Sequence, residues 1–528
     1  MAKLNVRSTL KKKILSRSDT TQNYEGGIAF EMSPKVKLYS MVASWLVGEP
    51  KFYKELDEDG EITSQNQDPI IMQTLNQVFK EDPSFVLKLA KYARDKLYLR
   101  SAPEVLLCEY ALYSKGTAKP ELRKAVPYIV TRADQLANCV AYVQGKIGHI
   151  GDGVLWTDKK SSKSKNGSLP QALKEGLADC MNNFNEYKFA KYDTKGKLVS
   201  LRDVVKLVHP KPKDEAQSLL FKKILENKLA PANTWENIIS NKGSTKESWE
   251  EASEVMPYMA TLRNLRNLLT RGVDVKKVIE KLTDPEEVRK SKQFPFRFYS
   301  AYKQVQEFTQ DLQSNSVLDA IEKALTLSIS NVPRLRGSSF ITSDNSGSMH
   351  STISEKSTIS NIDIANLLMA MSNKICDQSI CSVFGDSHKV VNLPNSGGII
   401  SNMERASNTD VGHSTNAYLS IKHIREKKIK VDRILLFSDM QCYDSGVNRF
   451  SFMGEYSIYE ELIKYKHEVN PNVYTYSFDL AGYGTLQVPE NDKNTALIAG
   501  WSDKILNYIP IFEVDGRTAI NEIESIKI

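Results

Sequence analysis

The feature that most constrains this chain is a change of hydrophobic period near residue 330. From about residue 35 up to that point, apolar side chains recur at three- and four-residue spacing between short polar breaks, which is the pattern of successive amphipathic helices. Segments 83–96, 102–114, 121–141, 169–184, 216–229 and 258–269 are the clearest, and helix after helix predicts an all-α solenoid. Beyond it, SSFITSD, SICSVF, RILLFSD and NVYTYSFDL are short β-rich runs separated by helical stretches such as NIDIANLLMAMSNKIC and SIYEELIKYKHEV. That alternation predicts an α/β doubly wound parallel sheet. NVPRLRGSS reads as the linker, with the domain change near Pro333.

At 528 residues the chain exceeds what one hydrophobic core organises, so several domains are expected. The longest apolar run, near 41–47, is far too short to cross a bilayer, and no membrane partner is expected. The N-terminus MAKLNVRSTLKKKILSRSD has basic residues but no apolar core or cleavage site, so residues 1–22 read as a basic arm rather than a signal peptide. Six scattered cysteines without CxxC pairs fit reduced thiols and a cytoplasmic location. Of the net +7, residues 1–330 carry about +11 and the remainder about −4. The basicity belongs to the helical half, where a phosphate backbone is the obvious partner and a merely solvated lysine-rich surface the alternative. Two breaks interrupt the helices. Segment 148–168, with Lys159, Lys160, Lys163 and Lys165, would track a nucleic-acid backbone or simply solubilise, and segment 191–203 is the other.

The end of the first β-run, ITSDNSGSM, places Asp344, Ser346 and Ser348 in DxSxS spacing at the carboxyl end of a strand, where open α/β sheets carry ligand loops. Thr415 at a helix start and Asp439 at the end of RILLFSD fall where a site on the same sheet edge needs them. Hydroxyl and carboxylate oxygens suit Mg²⁺ or another hard divalent cation, with Ser346, Ser348 and Thr415 binding directly and Asp344 and Asp439 mainly through waters. One position would stay open for a partner's anionic oxygen, and the absence of nitrogen and sulfur ligands argues against zinc. The bland alternative is that the aspartates are caps or turn residues and Thr415 an ordinary N-cap. The set resembles the metal-ion-dependent adhesion site of von Willebrand factor A domains over residues 334–528, with one departure: the threonine follows His413-Ser414 rather than a glycine pair.

In the helical half, NYEGGIAFEM (23–32), YARDKLYLRSAP (92–103), the basic stretch ending LVHPKP (207–212) and MPYMATLRNL (256–265) resemble the TROVE domain of the Ro family, which would occupy residues 23–333. The resemblance implies a HEAT-like ring of helices whose positive hole takes the single-stranded 3′ end of misfolded RNA. It also implies an outer surface that binds a small stem-containing Y-like RNA. His209 matches a family histidine of that outer surface, and Lys191 and Lys195 match basic residues upstream. Arg94, Arg100, Arg263 and Arg266, which punctuate apolar helices in the shared motifs, are candidates for the inner wall. The bacterial branch of the family further implies an exoribonuclease partner such as polynucleotide phosphorylase.

No phosphate-binding loop, HExxH or GxSxG motif is present, so an enzyme is not expected. The reading is a monomeric, non-enzymatic RNA-binding scaffold for noncoding RNA quality control. Its rival is a metal-dependent protein-interaction module on a helical scaffold, without RNA.

Overall fold

Side-chain caps written in the sequence start many of the helices. Asn185, Asp214 and Thr234 each accept the backbone N–H three residues on, and Ser200 forms a reciprocal box with Asp203 before Leu201–Val208. The computed structural model describes residues 18–23, 27–44, 70–114, 120–146, 169–307, 312–329, 332–352, 357–443, 457–482, 484–490, 492–500, 503–516 and 518–528. The lysine-rich segment 148–168 and the first 17 residues of the basic arm lie outside them.

The described residues fall into two compact units, Glu49–Val255 with Ile523–Ile528, and Met1–Gly48 with Met256–Glu522. The first is helical. Pro83–Asp95 packs on Ser101–Tyr113, and Pro120–Ile129 on Gln171–Met181. The latter pair approaches closely at Gly176, where a Cβ would stand 2.5 Å from Val126 Cγ2. Further helices are Ile70–Glu81, Ala133–Lys146, Glu186–Lys191, Leu201–Val208, Glu215–Leu225, Trp235–Lys242 and Lys246–Val255. Two long helices of the sequence reading are broken. Segment 121–141 divides at Val130–Arg132, because Gln135 Oε1 accepts the N–H of Thr131 at 2.8 Å and of Arg132 at 3.0 Å and so caps a new helix. Segment 258–269 divides into Tyr258–Arg263 and Leu265–Thr270 at Asn264, whose side chain donates to the Ala260 carbonyl at 2.9 Å.

In the second unit the strands are β1 (Thr20–Gln22), β2 (Ile28–Glu31), β3 (Leu335–Asp344), β4 (Cys376–Phe384), β5 (His388–Val391), β6 (Arg433–Ser438), β7 (Tyr474–Asp479), β8 (Thr485–Leu486) and β9 (Thr495–Ala499). Six form one sheet in the order β5-β4-β3-β6-β7-β9, parallel except for the edge strand β5. This is the expected α/β doubly wound sheet, its crossovers including Asn361–Ile375, Tyr418–Glu426 and Ile458–Glu468. Phe340, Phe384, Ile434, Leu436, Ile421 and Leu462 belong to one of its cores. The supposed linker RLRGSS is mostly strand: β3 already begins at Leu335 and shifts register before Ser338. Gly337 there has φ +83°, and an added Cβ would lie 2.3 Å from Asp432 Oδ2.

Residues 20–22, assigned to the basic arm, are β1 of a small antiparallel sheet β1-β2-β8. Phe30 and Met32 enter the same core as Phe340 and Ile434. The change from helix to strand lies between Ser328 and Leu335, while the compact unit that holds the sheet reaches back to Met256. Glu322 shows why. Its carboxylate, on Leu312–Ser328, accepts the N–H groups of Ile399 at 2.5 Å and Ile400 at 3.0 Å, capping Ile399–Ser407 from another element. Glu322→Ala leaves those donors uncapped and is expected to cost about 1 kcal/mol in urea unfolding of the full chain. An unchanged midpoint would show that water replaces the carboxylate at no cost.

Candidate metal centre and nucleic-acid interface

Parallel strands all deliver their carboxyl ends to one edge, so β3, β6 and β7 end in Asp344, Ser438 with Asp439 following, and Asp479 on the same side. Asp344, Ser346, Thr415 and Asp439 are buried and Ser348 is half-buried. Asp344 Oδ1 accepts the Ser346 N–H at 2.9 Å, and its Oδ2 accepts the Ser438 hydroxyl at 2.7 Å. The hydroxyls of Ser346 and Ser348 are 3.3 Å apart. Asp439 Oδ1 accepts the Gln441 N–H at 3.0 Å. The Thr415 carbonyl accepts the N–H of Tyr443 at 3.1 Å, and Gly347 N–H donates to the His413 carbonyl at 2.8 Å, so the three loops are tied to one another.

Burial, and then the nearby Asp439 carboxylate, push the Asp344 carboxyl up to about 7. Asp479 is also raised, chiefly by burial, although Ser40 Oγ and the N–H groups of Ala481 and Gly482 donate to it. Two buried carboxylates beside hydroxyls form a set of hard oxygen donors, the type that suits a hard cation. Among the described residues no three His, Cys, Asp or Glu side chains converge to hold a metal. The structure thus brings all five residues of the sequence reading to one sheet edge. Ser438, which that reading passed over, orients Asp344; its signal was its place just before Asp439 at a strand end.

The helical unit holds two grooves of about 500 Å³ each. One is lined by Lys195, Arg202, Lys206, Asp193 and Asp203 among others, and the second by Lys206, His209, Phe221 and Lys222 among others. Lys206 is common to both. The Asp203 carboxylate is engaged by the Ser200 cap, at 3.0 Å from its N–H and 2.6 Å from its hydroxyl. His209 ends Leu201–Val208 in the left-handed region, with φ +50°, and is exposed. Pro210 after it cannot continue the helix. Arg202, Lys206 and His209 share one helical face by their spacing, a signal that the sequence reading left unused. Lys191 lines neither groove and is half-buried, its ammonium 5.6 Å from the ring centres of both Tyr187 and Tyr192.

The inner-wall arginines fare differently. Arg100, Arg263 and Arg266 are exposed, the last two in the other unit from Arg100. Arg94 is a correction, because only 10% of its side chain is exposed and its donors are engaged within the fold. Its guanidinium donates to the carbonyls of Ile129 and Leu99, both at 2.8 Å, and to Glu104 at 3.3 Å. Burial outweighs the pairing for both partners, pushing Arg94 down and Glu104 up. Arg94→Ala is expected to cost about 3 kcal/mol in urea unfolding, since it strands a buried carboxylate. RNA affinity of the refolded variant should stay as in the wild type, and a selective loss of RNA binding would restore Arg94 to the interface.

A helical half joined to an α/β domain with a hydroxyl-carboxylate edge defines the class of protein. The solved crystal structure of the Deinococcus radiodurans Ro (Rsr) protein is similar in fold, with a TM-score of 0.58, 16% identity, and coverage of 91% of this chain and 100% of that one. The family model described as the TROVE domain matches residues 53–228 and 226–372, more than half of the chain. The chain belongs to the TROVE-domain family, an RNA-binding family of which the Ro proteins are part. Telomerase protein component 1 of Mus musculus is 24% identical over 328 residues, and that of Rattus norvegicus 24% over 317 residues. These matches cover 47% and 44% of this chain, which spans only 12% of the length of either relative. Among the described residues no helix is long and apolar enough to cross a membrane.

Proposed function

We propose that this protein is a Ro-type RNA-binding scaffold that holds a small stem-containing Y-like RNA on the surface around Lys195, Lys206 and His209. The observation that carries the reading is the pair of adjoining grooves sharing Lys206, with exposed cations along one helix face and His209 at its end. Lysine and arginine neutralise phosphates and set affinity, while an exposed histidine stacks or donates a hydrogen bond where RNA bends. On this reading the helices form a ring that admits the 3′ tail of a misfolded RNA, and an exoribonuclease such as polynucleotide phosphorylase does the cutting. The scaffold itself performs no chemistry, acts as a monomer and works in the cytoplasm on noncoding RNA quality control. Lys206→Ala with His209→Ala should weaken binding of a stem-containing RNA at least tenfold at physiological salt. The log–log salt slope should shrink by about one for the lysine removed. Unchanged affinity would refute the assignment.

The α/β domain has a second role in this proposal, favoured by its buried carboxylates and paired hydroxyls. Ser346, Ser348 and Thr415 would hold Mg²⁺ or another divalent cation directly, with Asp344 and Asp439 oriented toward its waters. When bound, the ion supplies a positive charge with room for an anionic oxygen from a protein partner. Millimolar Mg²⁺ is expected to raise the thermal midpoint of the wild type, with reversal by EDTA, and to leave that of Asp344→Ala unmoved. Equal shifts in both proteins would remove the ion from these residues. RNA binding that survives Asp344→Ala would separate this role from the first, and RNA binding absent from the wild type would leave the metal-dependent protein-interaction module as the whole function.

A further inference from the structure

Three tyrosines of the helical unit are about half exposed among the described residues, an unusual position for large aromatic rings: Tyr113 at 51%, Tyr128 at 53% and Tyr187 at 49%. Two of them have a partner close against one face. Tyr113 lies parallel to Phe79, with ring centres 4.3 Å apart and planes within 3°, and its hydroxyl donates to the Phe79 carbonyl. Tyr128 carries the Lys91 ammonium 4.3 Å from its ring centre. No ring stacks on Tyr187 among the described residues, and the Lys191 ammonium lies over it at a longer 5.6 Å from its centre, equally far from that of Tyr192. Tyr192 in turn has the Arg132 guanidinium 4.7 Å from its centre, and Asp134 holds that guanidinium in place.

The backbone beneath Tyr187 is fixed on both sides. Asn185 caps Glu186–Lys191 by accepting the Lys188 N–H at 2.9 Å. Glu186 is held by Lys223 Nζ at 2.8 Å and by the Ala230 N–H at 3.3 Å, so the carboxylate beside Tyr187 is neutralised by a contact within the fold. A half-exposed aromatic ring on a fixed helix, with an ammonium beside it, offers what an unpaired nucleotide needs. The ring supplies a stacking surface that any base can use, the ammonium supplies a charge for the adjoining phosphate, and the helix that carries both need not be ordered on binding. A base inside a duplex has both faces covered by its neighbours and cannot use the ring.

We propose that Tyr187 is a stacking platform for an unpaired RNA base, with Lys191 neutralising the phosphate next to it, so that the surface distinguishes stems with an unpaired nucleotide from continuous duplex. This rests on the RNA-binding reading above and adds to it a selection for strand state at a named ring. Stacking needs the ring and not the hydroxyl.

The test is equilibrium binding of the full chain to two RNAs of equal length, one a continuous stem and the other the same stem with unpaired nucleotides. In the second RNA, 2-aminopurine at the unpaired position reports stacking by quenching. Wild type and Tyr187→Phe should bind the RNA with unpaired nucleotides alike and quench the probe. Tyr187→Ala should lose about tenfold in affinity for that RNA, abolish quenching and bind the continuous stem as the wild type does. Three results would overturn the platform: full affinity and quenching with Tyr187→Ala, equal losses on both RNAs, or damage by Tyr187→Phe equal to that by Tyr187→Ala. Failure of the wild type to bind either RNA is a different outcome, since it removes the RNA-binding reading and this inference with it.

Discussion

The constraint on which the α/β domain depends is that parallel strands all end on the same edge. Each crossover returns the chain to the amino end of the next strand, so the loops leaving β3, β6 and β7 gather at their carboxyl ends. Whatever these loops carry is brought together without any direct attraction among them. Here they carry carboxylates that repel one another in a buried setting, and the sheet overrides that repulsion. Hydroxyl and backbone donors from Ser346, Ser438 and Gln441 supply part of the compensation.

The helical half obeys a different rule. Each helix buries one face against its neighbours and leaves the rest to water, and charged residues placed on the outer face gather wherever two or three helices meet. Leu201–Val208 buries Leu201, Val204, Val205 and Val208 and turns Arg202 and Lys206 outward. The two grooves are lined by this outer face together with loop residues such as Lys195 and Pro210.

The sequence made some of these elements legible and concealed others for physical reasons. Asp344, Ser346, Ser348 and Asp439 could be picked out because strand ends are marked by abrupt loss of apolar residues, and Thr415 because it precedes a helical pattern. The break at Asn264 was concealed because apolar periodicity continues through it on both sides. The burial of Arg94 was equally invisible: its partners are carbonyls of Ile129 and Leu99, and backbone acceptors leave no trace in residue identity. The Gly337 bulge turned a segment that reads as a linker into strand, since one glycine absorbs the register shift that a regular pattern would not allow. Tyr187 could not be told from a core tyrosine by spacing alone.

The small sheet at residues 20–31 bears on how such a chain can be made. Tyr39 and Ala499 exchange hydrogen bonds across 460 positions, β2 pairs with β8, and Phe30 and Met32 fill a core whose other buried members run from Phe340 onward. The helical unit is likewise completed by residues 523–528, where the Glu524 carbonyl accepts from Lys88. Neither unit is therefore a continuous stretch of sequence. On a ribosome, residues 20–43 must wait for almost the whole remaining chain before they find their places, with Leu38 and Val42 exposed to any chaperone in the interval. A chain begun at residue 334 would contain all six strands of the large sheet but lack Phe30 and Met32, so dividing this protein at the point where its periodicity changes would open a core rather than separate two domains.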